Sequence, residues 1–370
     1  MIKERTIDHT IKSVVAFKIP QAIKFSIHLC FCFFVLGCNN SDGAKKKQPI
    51  VKDTTAVKKQ KPDTIAVAVA PAVPATLDTA LYKSLILHMV HDSASAKWPV
   101  KDPYPLPGAI LPFKRIVAYY GNFYSTRMGI LGELEPDAML KKLMGEVKKW
   151  QQVDTHIGVV PAIHYIVASA QSQPGKGGKY RLRMPFTQID KALELAKKVD
   201  GIVFLDIQVG WSSLQEEIPG LEPYLKLPNV HLAIDPEFSM KDKVHKPGTI
   251  IGTFDAADIN YASEYLAKLV KQYNLPPKIL VVHRFTLGMV TNYAQIKLRP
   301  EVQMVMDMDG WGFPAKKVNS YKLAEVNNPV QFTGFKLFYK NDIQTPPWKT
   351  IMSPQDVLKL YPQPLYIQYQ

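Results

Sequence analysis

From about residue 115 to the end, short apolar runs alternate with stretches of helical period. The runs at 115–122 (RIVAYYGN), 159–170, 201–210 (GIVFLDIQVG), 230–238 (VHLAIDPEF), 278–286 (KILVVHRFT), 302–310 (VQMVMDMDG) and 330–339 (VQFTGFKLFY) are β-branched and compact. That is the pattern of strands buried on both faces. A last run, 365–369 (LYIQY), reads as an eighth strand or an edge. Between them lie amphipathic segments. Residues 135–153 carry Pro136 near the start and Leu140, Leu143, Met144, Val147 and Trp150 on one face. Residues 187–199 follow a cap at Thr187 with Asp190 three positions on. Residues 212–225 are broken at Pro219, and 255–273 start at Asp255 and end at Asn274 and Pro276-Pro277. Weaker helical signals fall at 81–90, 292–298, 315–327 and 353–360.

This alternation predicts an α/β domain with a parallel sheet. Seven or eight repeats in about 255 residues match one (β/α)8, TIM-like barrel, complete or short of a unit. An open doubly wound sheet is the alternative. It is weakened because GNFYSTRMGILG, after the first strand, lacks G-x-G-x-x-G in the required place, and no P-loop follows anywhere.

Polar residues recur where the apolar runs end. The first offers Tyr119, Tyr120 and Asn122, and the second His164 and Tyr165. The third offers Asp206 and Gln208 on one face, then Trp211; the fourth offers Asp235 and Glu237. The fifth gives His283 and Arg284, the sixth Asp307 and Asp309 on one face, then Trp311, and the seventh Lys336 and Tyr339. Pro236 lacks an N–H and favours extended geometry before it, so the fourth strand ends there. In a barrel all these termini converge on one mouth. Taken singly, each is as readily a loop cap or a satisfied hydrogen bond.

Carboxylates flanked by Trp and Tyr suit carbohydrate, with one acid and one nucleophile or base. The expected catalytic set is Glu237 as acid, with Asp206, Asp307 or Asp309 as partner and Asp235 beside it. Tyr120, Asn122, His164, Gln208, Trp211, His283, Arg284 and Trp311 are the expected substrate contacts. A non-catalytic barrel binding glycan or peptidoglycan shares nearly all these features. A metal hydrolase has His164, His283, Asp235 and Asp307 to draw on, but no H-x-H follows the first strand and no H-E-x-x-H appears. No metal and no cofactor are therefore expected. The chain also lacks a G-x-S-x-G elbow. The loop QSQPGKGGKYRLR reads as a mobile lid, as a contact for an acidic polymer or, more plainly, as solvent-exposed chain.

Charge and cysteines separate the first 75 residues from the rest. They hold 12 Lys and Arg against 5 Asp and Glu; the other 295 hold 34 against 27, so half of the +14 sits in a fifth of the chain. The globular part is only mildly basic, which argues against a nucleic-acid partner. Cys30, Cys32 and Cys38 are the only cysteines, so the body has neither disulfides nor Cys–metal sites.

Lys12, Lys18 and Lys24 precede an apolar run at 25–37, too short for a comfortable membrane span and suited to a signal-peptide core. It ends Val35-Leu36-Gly37-Cys38, which resembles the lipobox of bacterial lipoproteins. The resemblance implies cleavage before Cys38, lipid on that cysteine and a membrane-anchored place in the cell envelope. An ordinary signal peptide or an uncleaved anchor is the alternative. The stretch before the run is long for a signal peptide, which points to a later start codon. Residues 38–75 are rich in Lys, Thr, Ala and Pro without an aromatic, a composition expected to stay disordered as a tether. Residues 76–114, with five prolines in WPVKDPYPLPGAILP, read as an extended preamble to a barrel at 115–370.

The blocks AIDPEF, PGTIIGTFDAADIN, LPPKILVVHRF and DMDGWG resemble, in order and spacing over about 115–320, a family of bacterial secreted proteins and lipoproteins. That family carries LDPEW-, IGSVDAAEVN-, LPEKLLVVHQF- and DGFG-like blocks. Here Phe238 stands for its Trp and Arg284 for its Gln. The resemblance implies an envelope-associated barrel and carries no activity with it.

Overall fold

The computed structural model describes residues 76–370, so the signal peptide, Cys38 and the 38–75 tether lie outside the described residues. Eight parallel strands form the centre: β1 (Lys114–Gly121), β2 (Gly158–Ala170), β3 (Ile202–Ile207), β4 (Val230–Ile234), β5 (Lys278–His283), β6 (Val302–Met308), β7 (Phe332–Leu337) and β8 (Tyr366–Tyr369). Each pairs with the next, and β8 returns to β1 with Ile116 opposite Tyr366 and Tyr119 opposite Tyr369. The sheet is a closed (β/α)8 barrel, and 365–369 is the strand that closes it. The open-sheet alternative is excluded by that last pairing.

Period-two alternation sorts the strand residues into two cores. Ile116, Ala118, Ala162, Phe204, Ala233, Ile279, Val281, Val305, Phe332 and Tyr366 fill the barrel's lower interior. Val117, Ile163, Leu205, Leu232, Leu280, Met306, Phe335 and Ile367 face outward and pack under the helices. The main helices are α1 (Thr79–Met89), α2 (Pro136–Val153), α3 (Phe186–Lys197), α4 (Ala256–Tyr273), α5 (Pro314–Tyr321) and α6 (Pro354–Val357), and single helical turns at Leu214–Glu217 and Glu222–Leu225 fill the broken 212–225 segment. Asp255 caps α4 in a capping box with Asp258, and Asn274 ends it in the left-handed conformation.

The preamble closes the base. Leu85, Met89, Trp98 and Leu111 plug the interior from below. Gln303 fixes this segment by accepting from the Ile110 and Leu111 N–H groups and donating to the Leu111 carbonyl. Trp98 Nε1 donates to the Val326 carbonyl at 3.0 Å.

Two local expectations fail for identifiable reasons, and two more are refined by the structure. Thr187 caps nothing: α3 starts one residue earlier behind Pro185, and Asp190 instead accepts from the Tyr224 hydroxyl at 2.8 Å. Residues 292–298 form one 3-10 turn, Tyr293–Gln295, because Asn292 takes the left-handed conformation ahead of it. The 315–327 segment is α5 continued by a π-turn, Lys322–Val326. In the basic loop after β2, Arg181–Arg183 pairs antiparallel with β2, and Arg181 and Arg183 both bind Glu217. The end of that loop is tied down rather than a free lid, while residues 172–178 are solvent-exposed, as the plainer reading expects. Among the described residues no helix is long and apolar enough to cross a membrane.

Candidate active site

Each barrel strand delivers a polar side chain to the carboxyl end of the interior. They are Tyr120 from β1, His164 from β2, Asp206 from β3, Asp235 one residue past β4, His283 from β5, Asp307 from β6, Lys336 from β7 and Gln368 from β8. All are buried. The lower interior is mainly apolar, with His231 and Gln303 its buried polar members, so this polar layer is the boundary between plug and mouth.

His283 is the hub. Its Nδ1 lies 3.2 Å from Asp309 Oδ2 and 3.5 Å from Asp307 Oδ2. Its Nε2 lies 3.5 Å from Asp206 Oδ2, and the same oxygen is 3.5 Å from His164 Nε2. Burial alone would lower His283, but the Asp206 charge and its neighbouring carboxylates push it well above the usual imidazole range. Burial alone would raise Asp206, yet His283 and His164 hold it below the ordinary carboxylate range. His164 is pushed down to about 4, chiefly by burial. Its Nδ1 sits 2.5 Å from the Tyr366 hydroxyl, which also accepts from Gln368 Nε2 at 2.9 Å. Lys336 Nζ lies 3.7 Å from the centre of the Tyr120 ring and 4.0 Å from Asp309 Oδ2.

Glu237 reaches this mouth by a turn rather than by strand alternation. β4 stops at Ile234, and Pro236–Phe238 form a 3-10 turn capped by Asp235, whose Oδ1 accepts from the Glu237 N–H at 3.0 Å. Asp235 Oδ2 accepts from Gln208 Nε2 at 3.4 Å, and Gln208 also donates to the Tyr120 hydroxyl. Glu237 is half-buried, whereas Asp235 is fully buried. Burial first, then the Asp235 and Asp309 charges, raise Glu237 to about 8. Burial, with Asp309 and Asp206, raises Asp235 to about 7 despite the opposing pull of His283.

The structure thus gathers Glu237, Asp235, Asp206, Asp307, Asp309, Tyr120, His164, Gln208 and His283 at one place. Two expected contacts, Asn122 and Arg284, do not belong there. Asn122 is consumed in bracing, its amide donating to the Ile166 carbonyl at 3.0 Å and its oxygen accepting from the Tyr124 N–H at 2.9 Å. Arg284 follows His283 on the opposite face, buried near Glu325 and against Tyr293. Asp206 is wholly enclosed, which removes it as a nucleophile or base for substrate. Tyr119, Tyr165 and Tyr339 belong to the outer core. Trp211 and Trp311 stand half-exposed on the rim, Trp211 donating to the His245 carbonyl at 2.7 Å and Trp311 stacked under Lys316.

Tyr366 and Gln368 are the main residues missed. The alternation of LYIQY puts both on one face, but only closure shows that face to be the inner one. Lys317 and Asp342 were also missed. Lys317 Nζ donates to the Gly310 and Lys336 carbonyls and pairs with Asp342 at 3.1 Å. Asp342 in turn accepts from the Gly312 and Phe338 N–H groups. This clasp joins the loop after β6, which carries Asp309, to the end of β7, which carries Lys336, and to the loop that follows it.

His164, Asp206 and His283 present donor atoms all within 4.8 Å of one another, as do His88, Asp154 and His156 at the base. In the basal group Asp154 is already engaged by Arg115 Nη1 at 2.8 Å. Two surface depressions lie against the outer wall, beside Leu131 and Met139 and beside Met184 and Leu221, and neither is lined by Asp235, Glu237 or Asp309.

No protein-family model and no curated protein matches the chain. Among solved structures it is similar to a sugar phosphate isomerase/epimerase from Parabacteroides distasonis ATCC 8503, at 10% identity over 71% of this chain and 88% of that one, with a TM-score of 0.31. A likeness that weak carries no argument about the chemistry of the mouth.

Proposed function

We propose that this barrel is a glycoside-hydrolase-like enzyme of the bacterial cell envelope, anchored through lipid on Cys38 and acting on polysaccharide. Glu237 is the general acid and Asp309 its partner carboxylate. The observation that carries the reading is the unlike setting of these two groups at one mouth. Glu237 is half-buried and held protonated up to about 8, while Asp309 is paired with His283 and Lys336. Two carboxyls with divergent environments are what acid catalysis of glycosidic cleavage requires. Trp211 and Trp311 are half-exposed at the rim, packed by Tyr180 and covered by Lys316 respectively, and would meet a sugar ring only with the surface left free.

The test is turnover of a glycan and peptidoglycan panel by the full chain beside Glu237→Gln and Asp309→Asn. Glu237→Gln should lower kcat about 10²- to 10⁴-fold, the usual contribution of a positioned acid. Cleavage by Glu237→Gln at the parent rate removes it as the acid. A second reading, a glycan-binding barrel without catalysis, is favoured by the enclosure of the mouth's floor. Asp235 and Asp309 are 3% and 9% exposed, leaving Glu237 and the rim as the accessible contacts. Retention of glycan without cleavage selects that reading.

A further inference from the structure

We propose that His164, Asp206 and His283 bind one divalent first-row transition-metal ion, with Zn²⁺ the best match. The inference does not rest on the glycan reading, and it replaces the expectation of a metal-free mouth. Three strands, β2, β3 and β5, aim these donors at a shared point, and all three side chains have 0% exposure.

The spacing separates a metal site from an acid–imidazole network. A carboxylate hydrogen-bonded to a histidine N–H stands about 2.7–2.9 Å away. Here Asp206 Oδ2 lies 3.5 Å from both His164 Nε2 and His283 Nε2. Donors held about 2.0–2.1 Å from a tetrahedral Zn²⁺ lie ~3.4 Å from one another. Among the described residues, His164 Nε2, His283 Nε2 and both Asp206 oxygens have no hydrogen-bond partner. Leaving four such atoms unpaired in a closed interior is costly, and a shared cation satisfies three of the residues at once.

The surroundings of the two imidazoles supply the second observation. A ligating histidine typically donates its other N–H to an oxygen that fixes the ring. With Nε2 on an ion, His164 Nδ1–H points to the Tyr366 oxygen at 2.5 Å, and His283 Nδ1 faces Asp309 Oδ2 at 3.2 Å, an ion-pair distance without an aligned hydrogen bond. Both rings therefore turn the same nitrogen toward Asp206; the other is hydrogen-bonded in His164 and stands beside a carboxylate in His283. Two imidazoles and one carboxylate form a borderline donor set, suited to Zn²⁺ and its first-row neighbours. Three protein ligands leave a coordination position open, as in catalytic rather than purely structural zinc sites. The basal His88–Asp154–His156 group lacks these features, because Arg115 already holds its carboxylate.

The experiment is calorimetric titration of the full chain, stripped by chelation and checked for folding by circular dichroism, with Zn²⁺. A parallel titration with Co²⁺ follows the intense visible absorption of a four-coordinate ion. The expected result is one equivalent of Zn²⁺, a raised Tm and a Co²⁺ spectrum of low coordination number. His164→Gln and His283→Gln should each weaken binding at least 100-fold. Tyr366→Phe keeps all three ligands and should weaken it about 10- to 100-fold, as loss of an orienting partner does. His88→Ala/His156→Ala should bind like the parent. The proposal is overturned if the folded parent takes up neither ion, if uptake survives both His164→Gln and His283→Gln, or if it disappears in His88→Ala/His156→Ala.

Discussion

Asp307 owes its place inside the barrel to a side chain that is missing opposite it. A Cβ on Gly334 would stand 2.5 Å from Asp307 Oδ1 and 3.0 Å from the Tyr366 ring. Gly334→Ala should therefore destabilise the protein by about 1–3 kcal/mol through overpacking, read as a lower midpoint in urea with unchanged m. Unaltered stability would show that the carboxylate has room to move. Glu237 makes a second prediction at this scale. Its raised pKa keeps it protonated below about 8, so as an acid it is active below that pH and lost above it. The parent's kcat/KM should fall as pH rises through about 8, and Glu237→Gln should abolish that limb. A limb that persists in the variant belongs to another group. In sequence Glu237 was legible as an acid after a strand, but its direction was not. Strand alternation stops at Ile234, and the capped turn re-aims the next three residues.

At the scale of elements, the start of β1 is bound to the end of α2 by one buried pair. Arg115 donates to Asp154 at 2.8 Å, to Gln363 Oε1 and to the Pro364 carbonyl, and lies over the Trp150 ring. Burial would raise Asp154, but the Arg115 charge outweighs it and holds the carboxyl below its ordinary value. The sign follows from linkage. A depressed folded-state pKa gives stability that is present above the unfolded value, about 3.9, and lost as pH falls below it. Asp154→Asn leaves Arg115 charged and buried, so it should cost about 3–5 kcal/mol at neutral pH and flatten the acid limb of stability. Denaturant titrations of parent and variant from neutral pH down to about 3 test both points; matching curves would deny the pair any role. Each element carried its own apolar period, while this partner choice did not. Residues 115 and 154 meet only because α2 folds back along β1.

For the whole molecule, the barrel is closed by its last strand, and its base is sealed by the preamble. Lipid on Cys38 is part of the proposal above, and Cys38→Ala should move the protein from membrane to soluble fractions on cell fractionation. Continued membrane association of that variant would refute lipidation as the anchor.

The amino-acid sequence by itself determined the elements and their order, because period two and period 3.6 are local properties of φ/ψ geometry and apolar spacing. It also determined which strand ends are polar, since a residue in a buried run is either compatible with an apolar core or conspicuous in it. Closure was decided only in three dimensions. LYIQY is short enough to be an edge, and its pairing with β1 joins residues about 250 positions apart, a contact no local pattern encodes. Closure also decided which polar ends form a site. His164, Asp206 and His283 meet because alternate faces of β2, β3 and β5 turn inward together. The same alternation sends Arg284, one residue further, to the opposite side. Acids that look equivalent in sequence thereby part: Asp206 is sealed between two imidazoles, Asp235 braces a turn, and Glu237 reaches the accessible mouth.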